Sequence, residues 1–241
     1  MAAVFDVYDY RFTDVSVCPA DRFNGHLFSE PHRVYTDEKK AKRVAAGLLN
    51  KISEDASAQL YRCFLSGDAA IEETLLAYIR YALSSGPSVE SDFSHPAVIK
   101  VTQIAKKVWR EQHRMEAFVR FQKTADGLFY AIIEPDHDVL PLIAKHFKNR
   151  YADQRWLIYD ARRRYGLSHE DGGVSFIEVS FAEGSTSARD VAHVYDASED
   201  LYQKLWKQYM TSVNIAARKN LRLQVQHMPR RYWKYMPEIG G

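Results

Sequence analysis

The chain has 241 residues, 46% hydrophobic and 27% charged, with a formal net charge of +2. That is enough for one large or two small domains whose core needs no metal or disulfide. Cys18 and Cys63 fit neither a zinc pattern nor a disulfide framework. No apolar run approaches the ~18 residues of a membrane span, and residues 4–12, interrupted by Asp6 and Asp9, are no signal peptide, so a soluble, cytoplasmic protein without a membrane partner is expected.

Residues 4–12 read as a strand, and residues 13–35, with Pro19, Gly25 and Pro31, show no period. Asp37 then caps a helix with Ala41, Val44, Leu48 and Ile52 at helical spacing. Ser53 caps a second, carrying Leu60, Phe64 and Leu65 and stopping at Gly67. Asp68 caps a third, with Ile71, Leu75, Ile79 and Leu83, before Gly86-Pro87. The Gly, Pro, Ser and Asp of residues 86–93 suggest a boundary between an N-terminal strand plus three-helix unit (1–90) and a basic α+β domain (94–241). The alternative is that the two pack as one domain.

Ser94 opens a long helix to about Ala117, with Val98, Val101, Ile104 and Val108 inside and Lys106, Arg110 and His113 on the other face. The period then changes to two. Residues 118–122 and 128–133, around Ala125-Asp126-Gly127, read as a hairpin. Residues 139–151 return to helix, and 156–159, 162–167 and 174–181 read as strands, with Glu170-Asp-Gly-Gly173 as the last turn. Ser198 is expected to cap a helix to Lys219, and a short helix near 221–227 ends at Pro229. The fold class is α+β, an N-terminal helical unit followed by an antiparallel sheet flanked by long helices.

Charge is unevenly spread. Residues 1–99 hold 10 Lys/Arg against 14 Asp/Glu, residues 100–241 hold 23 against 17, and from 210 onward the count is 6 against 1. Such asymmetry points to an anionic partner for the second part. The tail concentrates it: Arg230-Arg-Tyr-Trp-Lys-Tyr235 interleaves three cations with three aromatics. Guanidinium groups grip phosphates and rings stack on bases; equally, these rings can pin the tail to the core while Arg231 snorkels to water.

Phosphate loops, nucleophile elbows and zincin helices are absent, and no Cys triplet could hold an iron–sulfur cluster. The candidates for acid–base chemistry are Glu111 and His113, beside Arg114, and Asp160. The bland reading of the first group is a helix end whose cations face the dipole. Asp136, Asp160 and Glu178 could converge on Mg²⁺, in a pattern that resembles the restriction-endonuclease core except that Ser180 stands where its lysine belongs. Asp136 or His137 reads more simply as a helix cap. Lys145, Lys148 and Arg150 with Arg162, Arg163 and Arg164 could track a phosphate backbone, and Arg218 and Arg222, four apart, could share a face.

Taken in order, Glu111-x-His-Arg-Met115, Phe118-x-Arg-Phe121, His146-Phe-x-x-Arg150, Trp156-x-Ile-x-Asp160, Arg218-x-Asn220 and Met228-Pro-x-Arg-Tyr-Trp233 resemble a bacterial family of DNA-metabolism proteins. The resemblance spans roughly residues 34–238 and departs at the N-terminus, where Tyr8-Asp-Tyr-Arg11 lacks the family's Asp-Gly-Ser. It implies a DNA repair or DNA metabolism protein, encoded beside a radical-SAM enzyme and related to a domain found fused to uracil-DNA-glycosylase-like domains. The function so implied is that of a nucleic-acid-binding accessory partner, without a cofactor or metal of its own. The alternative is a metal-dependent nuclease or base-processing hydrolase. DNA contacts are then expected from Arg114, Arg150, Arg163, Arg218, Arg222, Arg230, Arg231, Tyr232 and Trp233. The family brings no established catalytic residues.

Overall fold

In the computed structural model, which describes residues 1–23, 25, 30–86, 89–178, 204–205, 208 and 221–239, the chain opens with a helix, α1 (Ala2–Asp9), where a strand was expected. Its inward residues are Val4, Asp6 and Val7. Asp6, which seemed to interrupt an apolar strand, points inward because its carboxylate is paired with Lys40 Nζ at 2.6 Å and faces His32 Nε2 at 3.0 Å. A buried acid is tolerable when it is charged against a partner in this way.

The next two helices follow their capping signals; the third is entered through Ala70 with no side-chain cap, where Asp68 was expected, although the Asp68 carboxylate accepts the Ala70 N–H at 3.1 Å. Helix α2 (Glu38–Leu49) starts where the Asp37 side chain accepts the Lys40 N–H at 3.0 Å, and α3 (Glu54–Phe64) where Ser53 accepts the Ala56 N–H at 3.2 Å. Gly67, at φ +69, takes the left-handed conformation that turns the chain out of α3. Helix α4 (Ile71–Ser84) buries Ile71 and Ile79, and the early turns of α5 (Pro96–Phe118) bury Val98, Val101, Ile104 and Val108. Of the expected stripes, Leu48, Ile52, Leu60, Leu65, Ile71, Ile79 and the α5 residues are buried, Ala41, Val44, Leu75 and Leu83 are half-buried, and Phe64 is 62% exposed. Two compact units are defined, Met1–Trp109 and Arg110–Gly241, and the division falls within α5, downstream of the composition change at 86–93.

The second unit is built on a five-stranded sheet in the order β1 (Gln122–Lys123), β2 (Phe129–Ile133), β3 (Trp156–Asp160), β4 (Tyr165–Glu170), β5 (Gly173–Glu178). The α+β class stands, but the sheet is mixed: β2 and β3 run parallel, with Phe129 opposite Trp156 and Ile133 opposite Asp160. The reason is α6 (Leu140–Arg150), which lies between them in sequence and returns the chain to the same end of the sheet. The other pairs are antiparallel. The hairpin arm expected over 118–122 shrinks to two residues because α5 continues through Phe118. The β4–β5 turn is as expected, with Asp171 at φ 50 and Gly172 at φ 74.

Alternation along β3 sends Trp156, Ile158 and Asp160 to one face, all three fully buried. Ala131, Ile133, Leu167 and His169 share that face by register, and Phe147 of α6 meets Trp156 edge-on at 6.1 Å between ring centroids. Gly166, opposite Tyr159, sits where a Cβ would come within 2.8 Å of Leu157 Cδ1. The helix expected over 198–219 and the loop over 182–195 lie outside the described residues except at 204, 205 and 208, which are helical.

Candidate functional site

The stripe that buries Val101, Ile104 and Val108 continues at helical spacing to Glu111 and Met115, so α5 carries a carboxylate into the interior of the second unit. Glu111 is 2% exposed. Its Oε1 accepts from the Asp136 N–H (3.0 Å), Arg231 Nη2 (2.9 Å) and the Tyr232 hydroxyl (2.5 Å), and its Oε2 from the His137 N–H (2.6 Å). Burial alone would push this carboxyl up, but the hydrogen bonds from Tyr232, Asp136 and His137 outweigh it and hold its pKa below the ordinary glutamate value. Glu111 is therefore a fixed anion, with both oxygens hydrogen-bonded within the protein.

The rest of the network is assembled by the turns around it. The sharp turn after β3 lets Asp160 Oδ1 accept the N–H groups of Arg162 (2.9 Å) and Arg163 (3.1 Å), while Oδ2 meets Arg163 Nη1 at 2.9 Å. Arg164, at φ 60, completes that turn. Desolvation raises the Asp160 pKa, against the pull of Arg163. The Arg163 guanidinium also donates to the carbonyls of Pro135 (3.2 Å) and Asp136 (2.7 Å), and so ties β3 to the segment before α6. Asp138 accepts from the Tyr165 hydroxyl. Asp136 is the crossing point: Oδ1 binds Arg162 Nη1 at 3.0 Å and Oδ2 binds Arg231 Nη2 at 2.9 Å.

The tail closes the site. Residues Arg230–Tyr235 form a 3₁₀ helix entered through Met228-Pro229. Tyr232 is 3% exposed, its ring against Phe118 at 6.1 Å. Desolvation, and its bond to Glu111, push its pKa well above the ordinary tyrosine value. Desolvation disfavours charge on Arg231, yet Tyr232, Glu111 and Asp136 more than compensate and its pKa lies above normal. Trp233 donates Nε1–H to the Met228 carbonyl at 2.9 Å, with the Arg230 guanidinium 5.8 Å from its ring centroid. Lys234 pairs with Glu134, which also accepts from the Tyr235 hydroxyl at 2.8 Å. Glu134, Asp136, Arg162, Arg230, Arg231 and Lys234 line an open cleft of about 310 Å³.

The candidates read from sequence thus separate. Glu111, Asp160, Arg163, Arg231 and Tyr232 belong to one connected network, and Arg230 and Trp233 lie at its rim. Glu134, Arg162 and Lys234 join the cleft, and nothing local marked Glu134 as a member. Arg114 donates to the Gln226 carbonyl at 3.2 Å. His113 stands apart, its side chain 73% exposed and 3.8 Å from Glu116, so the expected pairing of Glu111, His113 and Asp160 for acid–base work is not assembled. Arg150 is exposed beside Tyr151, Arg222 is exposed on the helix Leu221–His227, and Arg218 lies outside the described residues. Among the described residues, no group of three His, Cys, Asp or Glu is placed to hold a metal ion. Glu178 is exposed at the end of β5, two strands from Asp160 by register, roughly 9 to 10 Å at the usual strand spacing. Among the described residues, no helix is long and apolar enough to cross a membrane.

Fold and site together define an α+β protein whose charged cleft rests on a buried carboxylate–arginine network and is closed by a C-terminal 3₁₀ turn. Residues 69–238 match a domain of unknown function, DUF4130, and the chain belongs to that family. The match begins just before α4 and takes in every member of the network. No curated protein and no solved structure matches the chain.

Proposed function

We propose that this chain is a nucleic-acid-binding protein of DNA repair or DNA metabolism, the accessory partner of a radical-SAM enzyme that performs the chemistry. The observation that supports binding is the cleft, where Arg162, Arg230, Arg231 and Lys234 line solvent-accessible space, the first, third and fourth in ion pairs with Asp136, Glu111 or Glu134 and Arg230 outside them. This is the basic part of the chain by sequence, and guanidinium forks are suited to phosphate oxygens. The accessory role is supported by the state of the buried acids: both oxygens of Glu111 and of Asp160 accept hydrogen bonds within the protein, and neither acid lines the cleft. Partner and pathway rest on the sequence resemblance. Of the expected DNA contacts, Arg230 is available at the cleft, as Arg150 and Arg222 are elsewhere on the surface. Arg163 and Tyr232 serve by holding the cleft in shape.

Binding of single- and double-stranded DNA across a salt series tests this reading. Engagement of the four cleft cations gives a slope of log K against log salt of about −3 to −4. The absence of binding at low salt, or a flat response, overturns it. Co-purification with the neighbouring radical-SAM protein, with and without DNA, tests the accessory role. Strand cleavage or base release by the pure protein with Mg²⁺ or Mn²⁺ would instead establish the enzyme alternative.

A further inference from the structure

One carboxylate in the cleft sits where a ligand would. Asp136 places its two oxygens on two different guanidinium groups, Arg162 at 3.0 Å and Arg231 at 2.9 Å. Its side chain is nevertheless 46% exposed. The loop does not depend on that side chain for its position, because the Asp136 backbone is held separately: its N–H donates to Glu111 and its C=O accepts from Arg163. The carboxylate can therefore rotate out of the cleft while the backbone keeps both anchors. Arg231 would stay aimed, since Glu111 and Tyr232 hold it from behind at 2.9 and 2.6 Å.

We propose that the Asp136 carboxylate is a built-in stand-in for a phosphate monoester, and that the cleft takes the phosphorylated end of a nucleic-acid strand, which displaces Asp136 from Arg162 and Arg231. This rests on the nucleic-acid reading above and specifies its ligand. Charge favours a monoester over an internal diester. A diester carries one negative charge, so trading it for Asp136 gains no charge and gives up an intramolecular partner at high effective concentration. A monoester carries about −1.5 to −2 and three acceptor oxygens. The surplus charge and the third oxygen meet Arg230, which faces no carboxylate within ion-pair distance among the described residues, and Lys234, which also lines the cleft and is paired with Glu134. The volume of about 310 Å³ is at the small end of ligand pockets and suits a terminal nucleotide rather than a length of duplex.

The test uses the full chain and one oligonucleotide sequence with a 5′-phosphate, a 3′-phosphate or hydroxyl ends, at fixed salt. Inorganic phosphate and a nucleoside monophosphate represent free sources of the same chemistry. The expected result is that one phosphorylated end binds about tenfold more tightly than the hydroxyl-ended strand. Asp136→Asn should strengthen binding of that end several-fold, and by more than it strengthens binding of the hydroxyl-ended strand. Arg162→Gln, at a side chain 53% exposed and so tolerant of replacement, should abolish the advantage of the phosphorylated end. Equal affinity for phosphorylated and hydroxyl ends, in the wild type and in Asp136→Asn, overturns the inference; salt-dependent binding that persists there leaves the broader nucleic-acid reading standing. Tight binding of the free monophosphate with no binding of any oligonucleotide overturns the assignment to a strand end and the nucleic-acid reading with it.

Discussion

Removal of Glu111 should be among the most damaging single changes in the second unit. Glu111→Ala strips the acceptor from four donors at once: the N–H groups of Asp136 and His137, the Tyr232 hydroxyl and Arg231 Nη2. The site is 2% exposed, so water cannot replace it without opening the structure. Deleting one partner of a buried ionic network costs about 3–5 kcal/mol. Tyr232→Phe deletes only the hydroxyl, fills nearly the same volume and removes a hydrogen bond to a charged group, a loss of about 1.5–3 kcal/mol. The two changes share that bond, so the double variant should lose less than the sum, by about 1–2 kcal/mol. Urea unfolding followed by tryptophan fluorescence is the assay, with Trp156, fully buried on β3, as the reporter. The urea dependence should stay constant while the midpoint falls. If Glu111→Ala costs less than about 1 kcal/mol, or the two effects simply add, the carboxylate does not organise this part of the molecule and the network reading fails.

Arg163→Ala should destabilise by about 3–5 kcal/mol, because Asp160 is fully buried and loses its only guanidinium contact among the described residues. Arg163→Lys should recover little of it in thermal unfolding, since one ammonium cannot span Asp160 and the carbonyls of Pro135 and Asp136. Acid should also destabilise the fold. The depressed pKa values of Glu111 and Glu134 give stability that is present above the ordinary glutamate value of about 4.3 and lost as pH falls through the folded values. Asp160, raised by burial, works with the opposite sign and offsets part of the loss. The melting temperature should therefore drop between about pH 5 and 3, and less steeply in Glu111→Gln; a melting temperature that rises on acidification would refute the assignment. Finally, Cys63 is fully buried with its thiol pushed up to about 12 by desolvation, while Cys18 is exposed. A thiol–disulfide exchange reagent should titrate Cys18 quickly in the native protein and Cys63 only after unfolding; rapid reaction of both would place Cys63 wrongly.

Local chemistry made the helices legible. Asp37 and Ser53 are caps in the sequence and in the structure, and Gly67 stops α3 through a backbone conformation few other residues adopt. Strand direction was a different matter. Residues 128–133 and 156–159 have the composition of strands in either orientation, and only the length and position of α6 between them makes the pairing parallel. Glu111 and Asp160 were recognisable as buried from period alone: the first continues the stripe Val101, Ile104, Val108, and the second follows Trp156 and Ile158 at spacing two. Their partners lay beyond any local pattern, since Arg231 is 120 residues from Glu111 and Lys234 is 100 from Glu134.

The tail shows why interleaved cations and rings could not be interpreted without a period. In a 3₁₀ helix, residues three apart eclipse one another, so Arg230–Tyr235 sorts into three faces. Tyr232 and Tyr235 occupy one, each with its hydroxyl on a glutamate, Glu111 and Glu134. Arg231 and Lys234 occupy the second, each in an ion pair with the same two glutamates. Arg230 and Trp233 occupy the third, the cation over the ring and clear of those carboxylates. Packing on the core and leaving one cation outside the ion pairs are therefore not competing descriptions of one motif. The first two faces fix the segment through paired tyrosine and cation contacts to each glutamate, and that fixation is what presents Arg230 at the mouth of the cleft at low entropic cost.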